Sequence, residues 1–321
     1  MCGIVGVVDL RGQGRVPSSD VVDRMTDALA RRGPDGRGVW RAHNAALGHR
    51  RLAVLDTTDA AAQPMVGHGV ALVFNGEIYN YKQLRRELEQ LGHTFASTGD
   101  TAVLLAAWRA WGPALVHKLN GIFALAIVDE RERRVFLARD HIGVKPLFFA
   151  VHHGVLRFGS EIKALLADPA VPRIPDPRAL DCFLTHGYAP QPLSPFLGIE
   201  QLEPASTWSA QIGGGAPVIE RYWTPRASER RISMDRALDE LGARLTASVS
   251  AQMVSDVPLG AFLSSGLDSA SVVAEMVRLS SEPVRTFSIG FTQASFDERA
   301  GAAHTAQVLG AKHHAEVVEL D

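Results

Sequence analysis

The sequence is short of sulfur chemistry. Its two cysteines, Cys2 and Cys182, cannot build a disulfide framework, and neither belongs to a CxxC pair suited to zinc. That usage fits a reducing compartment, and a cytoplasmic location is expected. No apolar run approaches the roughly 20 residues that a membrane helix needs. The opening segment MCGIVGVVDL lacks the basic start and the cleavage site of a signal peptide. Glycine stands third rather than second, so the myristoylation pattern fails as well. Charge is nearly balanced at a formal net -2, and the basic cluster RERR at 131–134 runs straight into strand-like VFLA. No nucleic acid and no membrane partner is therefore expected. The histidine pairs at 152–153 and 313–314 have no further ligand at metal spacing, so no metal site is expected. Cys182, in the apolar and helix-like DCFLTHGY, reads as a buried structural thiol.

What is present is a chain of 321 residues with 46% hydrophobic and 21% charged residues, ordinary for a globular protein of two domains. Residues 4–8, 45–55, 70–74, 122–129, 135–139, 147–151 and 155–158 read as strands. Tyr81, Leu84, Leu88 and Leu91 recur at helical spacing, as do Val103, Leu104, Ala107, Trp108 and Trp111. Strands with a few interspersed helices predict an α+β domain of stacked antiparallel sheets flanked by helices over 1–210. The proline- and glycine-rich texture that follows predicts a linker over 211–230. From 231 to 321 the pattern turns to alternating strand and helix, an α/β domain with a parallel sheet. Its first helix carries a stripe of Met234, Leu238, Leu241, Leu245, Val249 and Met253, with Ser233 as N-cap. Only about three strands follow, too few to close a parallel sheet, so this domain is expected to be a truncated portion of a larger one.

Cys2 becomes special if Met1 is removed, because one residue then carries a thiol and a free α-amine. A terminal amine titrates at about 7.7–8.0 and serves as base for a chain's own nucleophile. Other stretches fit that chemistry. GHRRLAVLD places Arg51 where it can grip a carboxylate in bidentate fashion. FNGEIYN offers the Asn75 side-chain amide and the Gly76 backbone N–H as an oxyanion hole. Glu77 and Asp100 offer negative charge for an ammonium. Each has a plainer reading too: Asn-Gly is a turn signal, and Asp100 suits a helix N-cap.

MCGIVGV, RRGPDG, GHRRLAVLD, FNGEIYN, LNGIFALAIVD, ARDHIGVKPLFF and FGSEIKAL occur in the order found in glutamine amidotransferases of asparagine synthetase type, which the chain resembles over essentially its whole length. The resemblance implies an Ntn-hydrolase-like first domain in which Cys2 attacks the side-chain amide of glutamine. Ammonia is released and water cleaves the thioester. Asn75 and Gly76 resemble that family's oxyanion hole. Arg51 with Leu52, Val54 and Leu55 resembles its glutamine-binding strand, and Glu77 and Asp100 resemble the groups that hold the amino-acid end. One departure is Ala102, where the family usually has glutamate.

SDVPLGAFLSSGLDSAS at 255–271 reads as a strand, a small-residue turn and a helix, which can cradle an anion. No GK[ST] follows, which excludes a Walker A loop. The stretch resembles the pyrophosphate loop of enzymes that split ATP to AMP and pyrophosphate. The resemblance implies an ATP site of Leu263, Ser264, Ser265, Gly266, Leu267, Asp268, Ser269 and Ile289. Leu263 and Ile289 would flank adenine, and Asp268 would help hold Mg2+ or the helix start. Ser265 replaces the family's first glycine, adding a Cβ near the phosphates. The implied reaction is ATP-dependent amidation of aspartate to asparagine. A glutaminase acting alone, a non-catalytic remnant, and amidation of a sugar or peptide carboxylate remain open beside it. A homodimer, or a separate chain that completes the second domain, is a possible partner.

Overall fold

The computed structural model describes residues 1–227, 229–293 and 297–319. They fall into two units, Met1–Arg226 and Ala227–Asp321. The first unit threads β1 (Gly3–Asp9), α1 (Ser19–Asp27), β2 (Gly36–Arg41), β3 (Ala45–Arg51), β4 (Met65–Gly67), β5 (Val70–Ile78), α2 (Tyr81–Gln90), α3 (Asp100–Trp111), β6 (Gly121–Asp129), β7 (Arg134–Arg139), β8 (Phe148–His152), β9 (Val155–Gly159), α4 (Ile162–Leu165), α5 (Pro177–His186), β10 (Glu200–Gln201), β11 (Ser206–Gln211) and β12 (Gly214–Arg221).

The strands make two six-stranded antiparallel sheets, in the orders β10-β8-β9-β1-β3-β2 and β12-β11-β7-β6-β5-β4. One core joins them, with Ile4, Leu47 and Phe158 from the first sheet meeting Val73, Ala126 and Trp208 from the second. Helices cover the first sheet's other face, where Met25, Leu29 and Ala164 meet Val5 and Val7. This double cover explains β1, which is buried at all positions. Ile4 and Val8 enter the inter-sheet core while Val5 and Val7 turn to the helices, the two-residue period of a strand. A strand covered on both faces has no use for polar alternation. On the second sheet, α3 packs against β5, and the Trp108 indole donates to Asp129 Oδ2 at 2.9 Å. These are the stacked antiparallel sheets that the sequence predicts.

Three local expectations need correction. The strand expected over 45–55 ends at Arg51. Beyond it Leu52 N donates to the Cys2 sulfur at 3.4 Å and Ala53 N to Asp35 Oδ2 at 2.9 Å, so the chain leaves the ladder. The expected linker over 211–230 starts as a strand, because β12 pairs with β11. Its glycines serve a hairpin turn, with Gly213 at φ 91° and Gly215 at φ 76°. Cys182 is only half-buried, on an α5 whose Leu180, Phe183 and Leu184 stand in solvent.

The second unit runs α6 (Met234–Gln252), β13 (Gly260–Phe262), α7 (Leu267–Leu279), β14 (Arg285–Phe291), α8 (Arg299–Leu309) and β15 (Lys312–Val318). Its strands form a parallel sheet in the order β13-β14-β15. α7 and α8 bury Val273, Ala302 and Ala306 against Leu263. The Ser233 hydroxyl caps α6, accepting from Arg236 N at 3.3 Å. Only the end of the α6 stripe is used: Val249 is buried with Met276, whereas Met234, Leu238 and Leu241 are exposed. Among the described residues, no helix is long and apolar enough to cross a membrane.

Candidate active site

Cys2 stands one residue before the first ladder pair, Gly3 opposite Arg50. Its backbone is held from two sides. Arg32 Nε donates to the Cys2 carbonyl at 2.8 Å, and Arg32 Nη1 pairs with Glu161 Oε1 at 3.1 Å. Next door, Ile4 N donates to Ser160 Oγ at 3.0 Å while Ser160 N donates to the Ile4 carbonyl at 2.9 Å. The thiol lies against the Leu52 backbone, accepting from its N–H at 3.4 Å and facing its carbonyl at 3.6 Å. Burial pushes the thiol pKa up, outweighing the Leu52 contact, the terminal amine and Arg51. A thiol kept protonated needs a base before it can attack. Burial pulls the α-amine of Met1 the other way, below its usual range, with Arg32 and Lys145 adding to the effect.

Cys2, Arg51, Leu52, Val54, Leu55, Gly76, Glu77 and Asp100 line one cavity. Leu52, Val54 and Leu55 do so from a loop rather than a strand. Arg51 shapes that loop: Nη1 donates to Thr58 O at 2.8 Å, and Nη2 reaches the carbonyls of Leu55, at 3.4 Å, and Asp56. Asn75 and Gly76 lie inside β5, opposite Ala124 and Phe123, rather than in a turn. Glycine is required at 76, where a Cβ would sit 2.1 Å from the Ile122 carbonyl oxygen. Asn75 is not on the cavity wall, but it is buried in the same strand segment and its Nδ2 has no hydrogen-bond partner among the described residues. A buried amide donor left unmade is costly and stays available to an incoming acceptor.

Asp100 begins α3 rather than capping it; Gly99 is the cap. Its Oδ2 accepts from Ile78 N at 3.0 Å, tying the helix start to the end of β5. Burial raises Asp100 to about 6, against those backbone contacts. Burial also raises Glu77, to about 8, with Asp100 adding repulsion and Lys145 opposing. Two carboxyl groups in one poorly solvated cavity favour a cation between them.

Sequence reasoning missed several residues here. Ala61, Gln63, Phe74, Gly99 and Thr101 also line the cavity. Gln63 Oε1 accepts from Phe74 N at 2.6 Å and its Nε2 donates to Thr101 at 3.3 Å, bracing β5 against α3. His49 Nε2 lies 3.2 Å from the Phe74 carbonyl, its pKa pulled down to about 4 by burial, so a neutral ring bridges β3 and β5. Arg32 had a signal, the tight RRGPDG turn, but not its contact with Cys2. Ala102, the departure on α3, is half-buried and does not line the cavity.

In the second unit, Leu263, Ser264, Ser269 and Ile289 line a pocket with Phe262, Phe287, Ser288, Phe291 and Glu298. Ser265, Gly266, Leu267 and Asp268 do not line it and form the turn and first turn of α7 beside it. The serines organise the turn: Ser264 Oγ lies 2.9 Å from Ser269 Oγ and accepts from Gly266 N at 3.2 Å. The Ser265 Cβ is accommodated by α8, because a Cβ on Gly301 would stand only 2.8 Å from it. Ser265 N donates to Glu298 Oε2 at 3.3 Å, so a carboxylate already sits on one of the turn's N–H groups. Among the described residues no cluster of three or more His, Cys, Asp or Glu side chains could hold a metal.

Comparison with known proteins adds independent findings. Residues 1–223 match the family model of the glutamine amidotransferase domain, and residues 240–321 match that of asparagine synthase. A Bacillus subtilis (strain 168) protein named asparagine synthetase [glutamine-hydrolyzing] 3 is 38% identical over 302 residues, 91% of this chain and 48% of that protein. A Mycobacterium tuberculosis (H37Rv) protein named putative asparagine synthetase [glutamine-hydrolyzing] is 35% identical, over 100% of this chain and 52% of its own length. The chain thus spans about half the length of these curated relatives. Among solved structures, the glutamine phosphoribosylpyrophosphate amidotransferase of B. subtilis superposes with TM-score 0.50 at 18% identity, covering 98% of this chain and 65% of that one. At that identity the likeness is one of fold.

Proposed function

Because the chain belongs to the glutamine amidotransferase family, we propose that its first unit hydrolyses glutamine with Cys2 as nucleophile. One observation carries this reading: four segments distant in sequence bring a thiol, a guanidinium and two carboxyl groups to one cavity. Once Met1 is removed, the Cys2 amine takes the thiol proton and the thiolate attacks the side-chain amide carbon of glutamine. The oxyanion that forms is received by Asn75 Nδ2, which has no other partner among the described residues, and by the Gly76 N–H. The amine then returns its proton to the leaving nitrogen, and ammonia departs as the C–N bond breaks. Water cleaves the thioester, releasing glutamate and restoring the thiol. Glu77 and Asp100 pair with the substrate ammonium, and Arg51 with its carboxylate. Leu52, Val54 and Leu55 close over the stem.

The second unit supports a further step. Its match to the asparagine synthase family and its pocket beside a serine-rich turn favour ATP binding there, with Ser264, Ser265, Gly266 and Ser269 toward the phosphates, Leu263 and Ile289 at the base, and Leu267 and Asp268 at the helix start. Mg2+ would arrive with the nucleotide and neutralise phosphate charge; Asp268 and Glu298 are the oxygen donors that suit it. Ammonia would then amidate an adenylated aspartate. The test is ammonia release from glutamine by purified chain whose Met1 removal is confirmed by mass, beside Cys2→Ala. Release that survives Cys2→Ala sinks the proposal. Adding ATP and aspartate and looking for asparagine separates synthesis from glutamine hydrolysis alone.

A further inference from the structure

We propose that Gln63 is a positioning residue for glutamine hydrolysis: its side chain takes the place of a neighbouring strand at Phe74 and so aims the Gly76 N–H into the cavity. The proposal rests on the glutaminase reading above. β5 pairs with β6 over its whole length, Val70–Ile78, but with β4 only from Val70 to Leu72. Past Leu72 one edge of β5 is therefore open. Backbone groups of an antiparallel strand turn to alternate sides from one residue to the next. Tyr79 N donates to the Asn120 carbonyl at 2.8 Å, on the side of β6. Phe74, Gly76 and Ile78 fall in the other set and face the open edge.

A buried backbone group on such an edge needs a partner. Phe74 finds two side chains: its N–H donates to Gln63 Oε1 at 2.6 Å, and its carbonyl lies 3.2 Å from His49 Nε2. Ile78 N donates to Asp100 Oδ2 at 3.0 Å. Gly76 stands between these two, and among the described residues no strand flanks it on that side. It lines the cavity, as Gln63, Phe74 and Thr101 do. The strand is thus held two residues before and two residues after the Gly76 donor, which leaves that N–H for the substrate. Gln63 is built for the first of these holds. Met65 lies opposite Leu72, so in the same register Gln63 falls level with Phe74, and its side chain bonds where β4 would have. The residue is 8% exposed, and its amide is fixed from behind because Nε2 donates to Thr101 Oγ1 at 3.3 Å. A donor to an oxyanion acts only in the right place, so a shift of about 1 Å is enough to cost up to about a hundredfold in rate.

The experiment compares Gln63→Met and Gln63→Glu with the wild type, reading kcat and KM for ammonia release from glutamine beside the melting temperature. Methionine keeps the length and loses both hydrogen bonds. Glutamate keeps the acceptor for Phe74 N–H and can accept from the Thr101 hydroxyl; its added charge, near Glu77 and Asp100, falls on KM. Gln63→Met is expected to lower kcat by about ten- to a hundredfold with KM nearly unchanged, and Gln63→Glu to restore most of kcat. Should Gln63→Met not fold, Gln63→Asn, one methylene too short to reach Phe74, takes its place under the same readings. An unchanged kcat overturns the proposal, and so does a rise in KM alone, which would make Gln63 a substrate contact. A fall in kcat that Gln63→Glu does not restore overturns it as well and leaves Gln63 a structural residue. A wild type that releases no Cys2-dependent ammonia overturns the glutaminase reading itself, an outcome distinct from an active wild type whose variants keep its kcat.

Discussion

The carboxyl pair in the cavity makes a quantitative demand on pH. Burial raises Glu77 to about 8 and Asp100 to about 6. At pH 7 Asp100 is then mostly ionised and Glu77 mostly protonated. On the proposed reading a bound glutamine ammonium needs both as carboxylates, so Glu77 would give up its proton on binding. One pH unit below its pKa this costs about 1.4 kcal/mol. Lowering the pH therefore weakens glutamine capture: between pH 7 and 6 the Glu77 proton alone contributes about a tenfold fall in kcat/KM, levelling off above pH 8. Glu77→Gln has no proton to lose. It should lower kcat/KM at every pH and remove that tenfold, leaving the smaller contribution of Asp100, about twofold between pH 7 and 6, and that of the terminal amine. The assay is the initial rate of ammonia release at glutamine well below KM, from pH 5.5 to 9 at constant ionic strength. If Glu77→Gln keeps the wild-type slope between pH 6 and 7, the titrating group lies elsewhere and the assignment of Glu77 is refuted.

The same shift bears on stability. Glu77 has a folded pKa of about 8 against an ordinary 4.5, so stability is full below about 4.5 and is lost as pH rises toward 8. Glu77→Gln should raise the melting temperature at pH 7.5 and leave it unchanged at pH 4.5, as read by calorimetry. Arg32→Ala frees the Cys2 carbonyl and leaves Glu161 without the guanidinium; kcat should fall by up to about a hundredfold with KM for glutamine nearly constant. Gly76→Ala drives a Cβ into the Ile122 backbone and should cost on the order of 1–3 kcal/mol in urea unfolding. Arg157→Ala strands Asp168, its partner at 2.6 Å, with both side chains 5% exposed or less; a loss of about 3–5 kcal/mol is expected by the same measurement.

The candidate site residues were legible as candidates because each sits in a short local pattern. Cys2 precedes a buried strand, Asn75 and Gly76 follow the apolar run of one, and the serines of 264–269 open a helix. The two architectures followed from the same periodicities. What stayed hidden is what distance in the chain conceals. Arg32 meets Cys2 across 30 residues and Glu161 across 129. Gln63 braces β5, and Glu298 reaches Ser265 from 33 residues away. No periodicity announces such contacts. The end of β3 at Arg51 was misread because Leu52 to Leu55 are as apolar as a strand, while the Cys2 sulfur and Asp35 take their N–H groups. The glycines of β12 were read as a linker because a hairpin turn and a linker share a composition.

β1 runs between β9 and β3, away from both edges of its sheet, and every one of its residues is buried. A strand so enclosed exchanges its amide hydrogens only when the whole domain opens. Cys2, the proposed nucleophile, is therefore fastened to the part of the first unit that lets go last. Fraying of the exposed α5 or of the β12 edge leaves it in place. In a denaturant series, loss of catalysis should coincide with the global transition instead of preceding it, and the first unit would fail as a catalyst only when it fails as a fold.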